Sequence, residues 1–325
     1  MPGGGGGVAS FYNNLEALLE GNIFKTKTSK LHTKNFLVMF IRYLLFIVKH
    51  RPDTVVVNPS LFSRAVYRDY VLSRVAELLF SSKIVVFWRG WNPENEYVMI
   101  KNPRIFNYFF SKKNLVLNSY VQRILTAKSV IFEKISTSYD LIMEGINVER
   151  REINIENILY LGRLERSKGL DEVLAFASQM TGPETVSIAG DGTYIEEVIK
   201  SSNVQYLGYL DGREKVDAYL ENGIFILPSY SEGMPNAVLE AMRLGLIVIA
   251  SDVGALSDLI THGVNGFLIK PRSSSELVNC YKQLKEMGPD DLKLISERAQ
   301  ETSKKYSPLI VASKLNLYCK NHERI

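Results

Sequence analysis

A chain of 325 residues is longer than one hydrophobic core usually serves, so two domains of about 150 residues each are expected. Hydrophobic residues at 46% and charged residues at 23% exclude a disordered chain, and the two cysteines, Cys280 and Cys319, have neither the number nor the spacing of a disulfide framework or a zinc knuckle. The net charge of +4 divides unevenly: residues 1–150 carry 20 Lys/Arg against 11 Asp/Glu, a net +9, and residues 151–325 carry 19 against 24, a net −5.

The basic first half is expected to meet something anionic, whether a lipid surface, a phosphorylated acceptor or nucleic acid. Nucleic acid is the weakest of these, since no recognised DNA- or RNA-binding motif occurs, and no nucleic-acid partner is expected. The chain opens with Met1, Pro2 and five glycines, without the basic, apolar and small-residue order of a secretory signal. A cytoplasmic setting is expected, with contact at the inner face of the cell membrane left open.

In chain order, the first half reads as helices at Ser10–Glu20 and Ser63–Phe80, with strands at Thr54–Asn58, Lys83–Trp88 and Ser129–Glu133. A glycine-rich loop running into a helix normally follows a strand. Only Met1 and Pro2 precede this one, so the first domain is expected to lack its first strand. The apolar segment Asn35–Arg51 is too short, and too interrupted by Arg42, to span a bilayer. A buried helix is the preferred reading; an interfacial helix anchored by Lys34, Arg42, Lys49 and Arg51 is the alternative. The polar stretch Asn147–Asn157 is the expected linker.

The second half alternates apolar runs with helical stretches. Strands are predicted at Ile158–Leu161, Thr185–Ala189, Val204–Leu207, Ile224–Leu227, Leu246–Ala250 and Gly266–Ile269, with helices at Leu170–Met180, Tyr194–Ser201, Glu214–Glu221 and Asn236–Leu244. Continuous apolar strands separated by helices imply a parallel sheet covered on both faces, a doubly wound α/β domain. The expected division is 1–150, 151–305, and a last helix within 306–325 that crosses back to the first domain.

Two acids stand out, Glu232 in the loop after the strand Ile224–Leu227 and Glu240 inside the next helix. That loop lies at the carboxyl edge where open α/β sheets bind ligands. Pro235 suits the start of the helix, whose amide-bearing end favours a phosphate. A Glu-x7-Glu spacing by itself is common and reads more readily as a negatively charged first turn with an ordinary solvated glutamate. Its context adds weight, because Arg163 and Lys168 place two cations at another strand-to-loop junction, where electrostatics does not favour them against a helix start. Gly190 and Gly192 form a further turn after a strand.

In their order, Leu161-Gly162-Arg163-Leu164, Lys168-Gly169, Ala189-Gly190-Asp191-Gly192, Leu227-Pro228-Ser229, Glu232-Gly233-Met234-Pro235 and Glu240-Ala241-Met242 resemble the retaining glycosyltransferases of the GT4 family, including those of bacterial polysaccharide biosynthesis. The resemblance implies the GT-B fold, two Rossmann-like domains facing across a cleft. It implies a metal-independent hexosyl transfer from a UDP- or GDP-linked sugar to a glycan or lipid-linked acceptor, with no cofactor. Arg163, Lys168 and Glu232 would be catalytic. The donor would be bound by Gly6, Gly7, Gly190, Gly233, Met234, Pro235, Asn236, Ala237 and Glu240, with Glu240 on the ribose. Arg89 and Gly90 would lie on the acceptor side, Arg89 standing where many members have histidine. An arginine binds phosphate but cannot shuttle protons near neutral pH.

No metal is expected, since no Asp-x-Asp occurs and His32, His50, His262 and His322 form no paired-ligand pattern. Two other readings remain: a nucleotide-sugar epimerase or hydrolase on the same fold, and a catalytically idle nucleotide-binding scaffold.

Overall fold

The computed structural model describes residues 11–12, 15–19, 36–59, 61, 63–89, 91, 96–148 and 153–320. The chain forms two compact units, the first made of Met1–Ser136 with Val311–Ile325 and the second of Thr137–Ile310.

In the first unit, β1 (Thr54–Val57), β2 (Lys83–Trp88), β3 (Lys113–Val116) and β4 (Phe132–Lys134) lie side by side in that order, every pair parallel. The run Lys-Ile-Val-Val-Phe-Trp of β2 is apolar on both faces because both are covered. Ile84, Val86 and Trp88 join one cluster with Phe106 and Phe109, whereas Val85 and Phe87 join another with Phe11, Leu15, Val311, Ala312 and Leu315. Alternation along the pleat divides β2 between two cores.

In the second unit, β5 (Asn157–Leu161), β6 (Thr185–Ala189), β7 (Gln205–Gly208), β8 (Ile224–Leu227), β9 (Ile247–Ser251) and β10 (Phe267–Ile269) form one parallel sheet in the order β10-β9-β8-β5-β6-β7. The chain starts in the middle, winds out to one edge through β7, returns to β8 and winds out to the other. That is the doubly wound Rossmann order, and its reversal falls between β5 and β8. Every residue of β8 is buried. Burial of each such Ile, Phe or Leu side chain stabilises the fold by about 1.5–3 kcal/mol.

Three expectations need correction. β3 was not predicted, because Asn114 within it reads as a turn residue. Here Asn114 is wholly buried, accepting from Trp88 Nε1 at 2.7 Å and donating to the Lys112 carbonyl at 2.6 Å. The strand expected at Ser129–Glu133 begins three residues later, since Ser129 takes a left-handed turn (φ 56°) after the helix Ser119–Ala127. The boundary falls at Ser136/Thr137 instead of near residue 150, because Tyr139, Met143 and Val148 already pack in the core of the second unit. The presumed linker ends inside β5, at Asn157. The last helix, Pro308–Lys320, belongs to the first unit from Val311 onward. The expected lack of a first strand falls outside the described residues.

Candidate active site

At the carboxyl edge of the second sheet, the loops that follow β5 and β8 flank the point where the strand order reverses. Their backbones are in contact. Gly169 has φ 78° and approaches the Pro228 carbonyl so closely that a Cβ would lie 2.1 Å from its oxygen, and the Tyr230 amide donates to the Ser167 carbonyl at 2.9 Å. Tyr230 also directs its hydroxyl at both Glu172 carboxylate oxygens, at 3.0 and 3.1 Å. The acidic loop is fixed from its other side by Gly254, with φ 61°, where a Cβ would meet the Glu232 carbonyl oxygen at 1.7 Å. Next to it, the Ala255 amide donates to the Gly233 carbonyl at 3.1 Å.

This backbone frame brings Lys168 and Glu232 together. Lys168 closes a short 3-10 turn, Arg166–Lys168, and donates from Nζ to Glu232 Oε1 at 2.6 Å. The pair is largely withdrawn from solvent, at 15% and 8% side-chain exposure. A charge-assisted contact in that setting is stronger than one on the open surface. Arg163 lies one turn earlier, at the mouth of the same loop. It is exposed and donates to Glu165 at 2.7 Å.

Gly233, Met234 and Pro235 lead from Glu232 into the helix Asn236–Arg243. Pro235 occupies the cap position and supplies no side-chain cap, so the first-turn amides of Asn236 and Ala237 face the loop without the usual oxygen acceptor. Asn236 accepts from Thr137 Oγ1 at 2.8 Å, and its own Nδ2 is buried without a partner. Uncapped amides at the end of a helix form a ready anion site.

Glu240 lies deeper than a surface-binding acid would. It is 4% exposed, with Lys215 Nζ donating to Oε1 at 3.2 Å and the Tyr219 hydroxyl donating to Oε2 at 3.1 Å. Lys215 also donates to Asp140 Oδ2 at 2.9 Å. Burial raises the Glu240 carboxyl above its ordinary value, and Asp140 adds to this against the pull of Lys215. For Lys215, burial acts to lower the ammonium, but Glu240 and Asp140 outweigh it and hold it above the ordinary lysine value. The sequence reading missed Lys215, Asp140, Tyr219 and Thr137. None lies in a motif: Lys215 and Tyr219 bond Glu240, Asp140 bonds Lys215, and Thr137 bonds Asn236.

Gly190 has both backbone groups engaged within the unit: its amide donates to Gly208 at 2.8 Å, and its carbonyl accepts from the Tyr206 hydroxyl at 2.9 Å. In the first unit the Arg89 guanidinium stacks on the Phe11 ring, 3.5 Å from its centroid, and its amide donates to Asn58 Oδ1 at 3.2 Å. Burial lowers it to about 10, against the opposing influence of Tyr12. Gly6, Gly7 and Gly90 lie outside the described residues. Among the described residues no three His, Cys, Asp or Glu side chains gather as metal ligands.

Residues 147–302 match the family described as glycosyl transferases group 1. Over 120 residues the chain is 38% identical to a putative teichuronic acid biosynthesis glycosyltransferase, TuaC of Bacillus subtilis, covering 37% of this chain and 30% of that one. Over 225 residues it is 27% identical to the amylovoran biosynthesis glycosyltransferase AmsK of Erwinia amylovora, covering 62% and 55%. The chain spans 30 to 45% of the length of the first curated relatives it matches. Among solved structures, Anabaena HepE in complex with UDP and glucose superposes with a TM-score of 0.71 at 18% identity, covering 88% of this chain and 83% of that one. That likeness shows the fold, an α/β chain with parallel sheets in two Rossmann-like units, the architecture called GT-B. The match to the glycosyl transferases of group 1 lies wholly within the second unit.

Proposed function

We propose that this chain is a retaining glycosyltransferase that moves a hexosyl group from a nucleotide-sugar donor to a glycan or lipid-linked acceptor in cell-surface polysaccharide biosynthesis. The observation that carries the reading is the Lys168–Glu232 contact of 2.6 Å at the strand-order reversal, beside the uncapped start of the helix Asn236–Arg243. Lys168 and Arg163 supply cations for the donor diphosphate, and the first-turn amides of the helix supply donors at a fixed position. Glu232 accepts hydrogen bonds from sugar hydroxyls while its other neighbour, Lys168, stays within reach of the phosphate.

Charge builds on the diphosphate as the bond to the sugar breaks, so cations and amides already in place lower the barrier without reorganising. The acceptor hydroxyl attacks from the face the diphosphate leaves and passes its proton to the departing phosphate oxygen, which retains the anomeric configuration. No metal is required by this arrangement. Glu240 is assigned to the ribose end, with both its oxygens already held by Lys215 and Tyr219. UDP is the first base to test, since HepE was solved with UDP.

A thermal-shift panel of UDP-, GDP-, ADP- and dTDP-sugars identifies the donor, because a ligand that binds only the folded chain raises its melting temperature. Product analysis with and without acceptor then separates transfer from epimerisation or hydrolysis. With the donor known, Glu232→Ala and Lys168→Ala each lower transfer by about 100-fold or more, the range for removing one preorganised electrostatic group. Near-normal turnover in both folded variants sinks the assignment.

A further inference from the structure

The helix Phe36–His50 uses only one side to build the first unit. Tyr43 and Ile47 are buried, and the Tyr43 hydroxyl donates to the Leu72 carbonyl at 3.0 Å, docking it on the helix Ser63–Phe80. On the opposite side Leu37, Val38, Ile41, Leu45 and Val48 are between 47% and 68% exposed. At about 100° per residue these five fall within one arc of roughly 100°, a continuous apolar stripe along a helix of about 22 Å. Soluble surfaces scatter single apolar residues but seldom align five of them. The exposed Arg42 and Lys49 lie together along one flank of the stripe, and exposed Arg51 follows its end.

Charge identifies the occupant. The charged side chains of Phe36–Arg51 are Arg42, Lys49 and Arg51, with no Asp or Glu, so this helix repels a basic partner and matches a sheet of phosphates. A fifteen-residue helix is too short to cross a bilayer, and among the described residues no helix is long and apolar enough to do so. An apolar stripe with flanking cations suits a helix lying in the plane of the headgroups. We propose that this face of the helix docks the chain on an anionic bilayer surface, Leu37, Ile41, Leu45 and Val48 entering the acyl boundary while Arg42, Lys49 and Arg51 meet lipid phosphates. The proposal does not depend on sugar transfer.

The test is flotation of the full chain with vesicles of phosphatidylcholine alone or mixed with phosphatidylglycerol. The chain is expected to float with the mixed vesicles, to float weakly with the neutral ones, and to be released by salt. Ile41→Glu with Leu45→Glu abolishes flotation. Arg42→Gln with Lys49→Gln weakens it about 25-fold, at about fivefold per cation near an anionic surface. Circular dichroism checks that the variants fold, and the salt response of the unaltered chain tests the proposal without any variant. A chain that stays at the bottom with mixed vesicles overturns the proposal, as does a folded Ile41→Glu/Leu45→Glu variant that floats normally. So does a variant that merely changes from dimer to monomer while floating unchanged, which assigns the face to a second copy.

Discussion

Lys168 Nζ sits 2.6 Å from Glu232 Oε1, joining residues 64 positions apart across the reversal of the strand order. The pair has a structural cost that can be separated from its chemical role. Removing one partner strands a nearly buried charge, which destabilises by about 3 kcal/mol in fully buried pairs and less where some solvent reaches. Lys168→Met and Glu232→Gln are therefore expected to lose about 2 kcal/mol each, and the double variant to recover at least about 1 kcal/mol of the sum. Urea unfolding of all four proteins measures the coupling. Additive losses show that the pair is not formed in solution.

Gly254 supports Glu232 without touching any ligand. Its φ of 61° and the 1.7 Å approach of a Cβ to the Glu232 carbonyl oxygen leave no room for a side chain. Gly254→Ala costs about 1–2 kcal/mol for the left-handed backbone alone, and relief of the clash must move the Glu232 loop. The variant is expected to remain folded, to lose most of its donor-induced thermal shift, and to keep the unaltered chain's secondary structure by circular dichroism. A full donor-induced shift contradicts this account of the loop.

Cys280 reports on packing in the second unit. It is 6% exposed, and burial, reinforced by Glu276, pushes its thiol up to about 12. Cys319, half-buried in the first unit, is pushed up to about 11 by burial. The reactive species is the thiolate, so at pH 8 a disulfide reagent should modify Cys280 only after unfolding. Mass spectrometry of the native protein after brief exposure checks this; rapid labelling of Cys280 shows that the helix Ser274–Glu286 opens readily.

Much of the second unit was legible because its strands are short, apolar and evenly spaced, and because each glycine turn follows one. The sequence put Lys168 and Glu232 on one sheet edge but not in contact, and the structure supplies the contact. The network around Glu240 was not legible: Lys215 meets Asp140 from 75 positions away and Glu240 from 25, and nothing local marks any of the three as partners. In the first unit the missed strand β3 has the same origin, since Asn114 looks like a turn residue until Trp88 is known to bond it. The preferred reading of the helix Phe36–His50 as buried is corrected by its exposed side; apolar residues occur all round it, so the sequence alone did not choose between that reading and the interfacial one.

Lys215 gives the sharpest test of that hidden network. It is the buried cation shared by Glu240 and Asp140, so Lys215→Met leaves two carboxylates facing each other with no counter-charge and destabilises by about 3–5 kcal/mol near neutral pH. The pH dependence follows from sign. Burial already raises the Glu240 carboxyl, and loss of the lysine raises it further. A group whose folded pKa lies above its unfolded value contributes stability at low pH and loses it as pH rises through the folded pKa. The deficit of Lys215→Met is therefore largest at neutral pH and shrinks on acidification from the raised value down to the ordinary glutamate value of about 4.3. Adding Glu240→Gln removes the titrating group, so the double variant should show a smaller deficit with little pH dependence across the same window. Unfolding free energies of the three proteins between neutral and mildly acidic pH decide the matter: a deficit that is constant with pH in Lys215→Met means that Glu240 does not depend on Lys215 for its charge.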